Sequence, residues 1–131
     1  MSSYTFRATL ARPIGEVRPL VEAALKNEGF GVLTEIDVAS TLKAKIDVDR
    51  PPYLILGACN PRLANRALDA DPSIGALLPC NVVLREGDQP AETVIEMLDP
   101  MAALGLAGDG LRPVASEAAE RLQRALEAIT S

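Results

Sequence analysis

The chain contains no histidine and no tryptophan, and its 131 residues include only two cysteines, Cys59 and Cys80. Without an imidazole there is no Ser-His-Asp triad, Cys-His dyad, HExxH zinc site, Cys2His2 finger or histidine-ligated haem. Two thiols are too few for a disulfide framework and show no CxxC spacing, so they are expected as free thiols. They also fall short of the four ligands of a structural zinc site, and neither a metal nor a cofactor is expected. Long apolar runs are missing too. Tyr53–Cys59 and residues 77–84 are far shorter than the roughly 18 residues of a spanning helix, so no membrane association is expected. Residues 1–13 interrupt their apolar positions with Ser3, Thr5, Arg7, Thr9 and Arg12, which leaves no signal-peptide core and implies a cytoplasmic location. Basic residues are in deficit, 13 against 18 acidic, for a net charge of −5. A surface of that sign repels phosphate backbones, and no nucleic-acid partner is expected.

What is present is an ordinary globular composition, 48% hydrophobic and 24% charged. That balance argues against disorder, and the length suits one domain over residues 1–131. Residues 4–10 alternate Tyr4, Phe6, Ala8 and Leu10 with polar neighbours, the period of a strand with one buried face. Ile14, Val17, Leu20, Val21, Ala24 and Leu25 then recur at helical spacing, with Gly29 where a left-handed cap belongs. Pro19 removes a backbone donor, so the regular helix is expected to start near Arg18 or to bend there. Residues 30–38 read as a second strand, with Phe30, Val32, Thr34 and Ile36 on one face. Residues 39–46 read as a short helix.

The Asp49-Arg50-Pro51-Pro52 turn precedes Tyr53–Cys59, a continuous apolar run of the buried-strand type. Asn60-Pro61 supplies an N-cap and a first-position proline for a helix whose buried stripe is Leu63, Ala64, Ala67 and Leu68. Cys80–Glu86 and Thr93–Leu98 flank a turn as a hairpin. Residues 113–129 close the chain as an amphipathic helix. The expected fold is therefore α+β: two layers, a mixed sheet of about five strands, and helices packed on one face.

The sharpest chemical feature is Gly57-Ala58-Cys59-Asn60-Pro61, where a buried strand delivers a thiol to a helix start. A helix N-terminus stabilises a thiolate, so Cys59 is a candidate catalytic thiol, with Cys80 as its partner if the chain brings them together. Packing as small hydrophobes is the alternative role for both. The same helix start can hold a small anion, because its free N–H groups lie beside Arg62, with Arg66 one turn on and Lys43 and Lys45 as further cations. Glu35 and Asp37, two apart on a strand, are a candidate acid/base pair, or else simply solvated surface.

The segments GFGVLTEIDV, TLKAKI, YLILGACNP, IGALLPCNVVLRE and LDP resemble the domain of unknown function 302 family over most of the chain. The resemblance implies a small α+β domain that forms homodimers, and it implies no established activity or substrate. Its motif positions carry over to Cys59, Asn60, Pro61, Pro79, Cys80 and Asn81, while Pro19 departs from the pattern. Three functions follow as expectations. The first is a homodimeric module that binds a small anion through Asn60, Arg62, Asn81 and Lys43. The second is a thiol enzyme or redox-responsive protein using Cys59 and Cys80. The third is a purely structural or interaction role.

Overall fold

A computed structural model describes residues 3–130. The elements run β1 (Thr5–Leu10), α1 (Ile14–Asn27), β2 (Gly31–Asp37), α2 (Val38–Ile46), β3 (Tyr53–Cys59), α3 (Pro61–Ala70), β4 (Cys80–Glu86), β5 (Thr93–Leu98), α4 (Pro100–Leu104) and α5 (Arg112–Thr130). Short 3-10 turns follow α3 and α4. The strands form one sheet in the order β1-β5-β4-β3-β2.

Every neighbouring pair in that sheet is antiparallel, so the expected mixed sheet is corrected. The reason lies in the connections. Both α2 and α3 are short and are followed by further non-strand chain, which returns the polypeptide to the end it left. The next strand therefore runs back beside its predecessor.

Helix-facing rungs such as Phe6, Met97, Val82 and Leu56 lie opposite one another across four strands. They are covered by Val17, Val21 and Leu25 of α1, Leu63 and Ala67 of α3, and Val114, Ala118 and Leu122 of α5. Leu68 is 43% exposed and stands outside the expected stripe of α3. α1, α3 and α5 thus cover one face of the sheet, and no residue of α2 joins that core. No helix among the described residues is long and apolar enough to cross a membrane.

Two local readings also change. The first helix begins at Ile14 and carries Pro19 within it, because Ile14, Val17, Val21 and Leu25 form one continuous packing stripe. In β2 the pairing slips at Leu33, so Val32 lies opposite Ala58 while Thr34 lies opposite Gly57. Val32 and Thr34 therefore belong to opposite faces, where uninterrupted alternation would give them one.

Candidate functional site

One end of the sheet gathers the chemistry, and the register explains why. Gly31 pairs with Cys59 and Ala58 pairs with Cys80, so the α1–β2 junction, the β3–α3 junction and the start of β4 share that end. Gly29 takes a left-handed φ of +85° to turn the chain from α1 into β2. A β-carbon at Gly29 would lie 2.9 Å from Nδ2 of Asn60, so the turn and the cap fit closely.

Asn60 is buried and fixes the entry to α3. Its Oδ1 accepts from the N–H of Leu63 at 3.2 Å, and its Nδ2 donates to the carbonyl of Glu28 at 3.4 Å. Arg121 of α5 donates to the same carbonyl at 3.3 Å, which ties α1, α3 and α5 together at one point. Because Pro61 has no N–H and Asn60 occupies that of Leu63, the first turn keeps a single outward amide, that of Arg62.

Around this point lies an open hollow of about 710 Å³, with Lys26, Asn60, Arg62, Arg66, Glu117 and Arg121 among its walls. Glu117 accepts from Arg66 at 2.9 Å and from Arg121 at 3.1 Å. These hydrogen bonds, first that of Arg66 and then that of Arg121, hold its carboxyl below the usual glutamate range. Lys26 and Arg62 make no ion pair among the described residues. Arg121 also stands 4.0 Å from the Glu28 carboxylate, which Arg124 pairs at 3.1 Å, so the four cations of the walls meet Glu117 within the hollow and Glu28 beside it, in a chain whose net charge is −5.

Next to it is a smaller cleft of about 30 Å³ whose walls include Phe30, Cys59, Asn60, Leu63, Cys80 and Val114. The antiparallel return of the chain brings both cysteines to this cleft. Burial pushes the Cys59 thiol above its ordinary value. It pushes Cys80 up to about 11, with the nearby Cys59 charge adding to the effect. Both groups are poor thiolates at neutral pH.

The remaining candidates are placed elsewhere. Lys43 pairs with Asp47 at 2.9 Å and Asp49 at 3.1 Å on the outer side of α2. Asn81 is exposed on β4 opposite Gly57 and belongs to neither the hollow nor the cleft. Glu35 and Asp37 are both engaged: Glu35 accepts from Arg18, and Asp37 caps α2 through the N–H of Ser40 at 2.9 Å. Residues that sequence reasoning missed are Lys26, Glu117 and Arg121. The only trace of them in the sequence is the i,i+4 spacing of Glu117 and Arg121. Nothing along the chain joins positions 26, 62 and 121; the packing of three helix segments does.

The geometry defines an α+β protein with a polar hollow and an apolar cleft at one end of an antiparallel sheet. The family model described as Domain of unknown function DUF302 matches residues 6–129, and the chain belongs to that family. A solved structure, the crystal structure of uncharacterized conserved protein DUF302 from Bacillus stearothermophilus, is 30% identical. It superposes with a TM-score of 0.87 over 97% of this chain and 98% of that one. No curated protein is significantly similar.

Proposed function

We propose that this protein is a cytoplasmic, homodimeric module that binds a small anionic ligand in the hollow beside Asn60. One observation carries the reading: Lys26, Arg62, Arg66 and Arg121 surround a single hollow in an otherwise acidic chain. Such a concentration of one sign focuses the field and draws counter-ions to it. Glu117 does not cancel it. It holds Arg66 and Arg121 in place and leaves Lys26 and Arg62 for the ligand. The volume lies within the roughly 300–1,000 Å³ of small-molecule sites. Asn60 contributes by fixing the hollow's shape, since both ends of its amide are already bonded.

The raised pKa of both thiols favours this reading over thiolate catalysis. Homodimerisation is supported by the exposed Ile36 on the sheet face opposite α1, α3 and α5 and by α2, none of whose residues is buried.

Thermal denaturation with increasing inorganic phosphate tests the binding site. At 100 times its dissociation constant a bound ligand adds about 2.7 kcal/mol. Wild type is expected to shift upward in Tm, and Arg62→Glu, on an exposed residue, to remain folded without the shift. An equal response from both proteins, or none from wild type, overturns the proposal.

A further inference from the structure

The basic hollow and the apolar cleft adjoin. Asn60 and Leu63 belong to the walls of both, so one molecule seated over the first turn of α3 meets both environments. Their chemistry is opposite. The hollow is lined by cations, whereas no charged side chain contributes to the cleft, whose walls include Ala64, Ala67, Leu104 and Val114. Water in such a cleft finds few partners, because a thiol is a weak donor, the Asn60 amide is already bonded at both ends and the other side chains are hydrocarbon. An apolar group fits it better.

Size narrows the choice. A space of about 30 Å³ accommodates about two or three methylene-sized groups, which leaves no room for an aromatic ring. The charge available narrows it again, since Lys26 and Arg62 are the two cations of the hollow without an ion partner among the described residues. Two free cations match a doubly charged head.

Resting on the anion-binding reading above, we infer that the ligand is an amphipathic dianion. Its phosphate-like head is held by Lys26 and Arg62, and its short alkyl tail enters the cleft past Ala64. Cys80 then serves as part of the tail's floor.

Calorimetric titration of the full chain with inorganic, methyl, ethyl, propyl and phenyl phosphate tests this. Affinity is expected to rise about fourfold per added methylene up to propyl. Phenyl phosphate should bind no more tightly than methyl phosphate. Ala64 is half-exposed, so Ala64→Leu narrows the cleft's mouth without overfilling the core. In that variant propyl phosphate should fall to the affinity of inorganic phosphate, which itself stays unchanged. Binding that is flat across the alkyl series overturns the tail and leaves the anion site standing. A tail preference that survives Ala64→Leu also overturns the assignment, because the tail then lies elsewhere. No binding by any phosphate overturns this inference and the anion site together. The wild-type series stands without the variant, so a folding failure in Ala64→Leu still leaves a decision.

Discussion

At Cys80 the backbone register matters before the sulfur does. Its partner across the ladder is Ala58, so Cys59 lies one residue out of step, and strand alternation turns neighbouring residues to opposite faces. Cys80 shares the helix-facing side with Val82 and Leu84, and that burial drives its pKa to about 11 against an ordinary 9.0. The sign of the linkage follows. A proton held more tightly in the folded state contributes stability that is intact below about pH 9 and is lost as pH climbs toward 11. The loss is expected to be of order 2–3 kcal/mol. Urea denaturation at several pH values measures it, and Cys80→Ala should flatten the slope in that range even though its overall stability is lower. At pH 8 a thiol-disulfide reagent should label Cys59 before Cys80, because Cys80 is the more deeply buried thiol and holds its proton more tightly. Equal, rapid labelling of both would contradict the burial argument. The sequence could show that Cys59 precedes a helix, but not that burial would raise its pKa where a helix start alone argues for lowering it.

The elements were largely legible because their signals were local. Tyr53–Cys59, Cys80–Glu86 and Thr93–Leu98 have ends marked by proline or turn residues, and they begin and end where pattern reading puts them. The Asn60-Pro61 cap was visible for the same reason. The failures came where packing overrode a local rule. Pro19 argues for a late helix start, yet the stripe of Ile14, Val17, Val21 and Leu25 is continuous across it. Proline there withholds an N–H from the carbonyl of Gly15 and crowds it, a defect the helix tolerates in its second turn. Since Pro19 is exposed, Pro19→Ala forfeits no core contact. It is expected to stabilise the protein by about 1–2 kcal/mol, the helix gain less the stiffness proline gives the unfolded chain. Chemical denaturation checks this, and an unchanged or lowered midpoint would show that Pro19 fits its helix without cost. The bulge at Leu33 was illegible for a different reason. An extra residue in a strand leaves no mark on an alternating sequence until its partner strand is known.

For the whole molecule, the side of the sheet opposite α1, α3 and α5 is the feature still to be explained. One row across all five strands on that side reads Arg7, Glu96, Val83, Ile55 and Ile36. Its β1 side is polar: Glu96 accepts from Arg85 at 2.8 Å and from Thr5 at 3.0 Å. Burial works to raise the Glu96 pKa, but those hydrogen bonds and the charges of Arg85 and Arg7 bring it below its ordinary value. Its β2 side is apolar and open, with Ile36 50% exposed, and α2 beside it leaves Ile46 63% exposed. A helix with no buried residue draws little stability from its own chain, and an exposed apolar patch of this kind marks an interaction surface. Sequence patterning alone could not place it, because Ile36 reads as a core position until the slip at Leu33 turns it outward. A second copy of the chain, meeting the first through this surface, would bury Ile36 and support α2 in both subunits. Sedimentation velocity on the wild type is expected to give a dimer. Ile36→Lys, which places a charge on an already exposed strand position, should give a monomer with an unchanged circular dichroism spectrum. A monomeric wild type at every concentration would remove the dimer from the proposal. A dimer unaffected by Ile36→Lys would move the interface to another face and leave α2 without its partner.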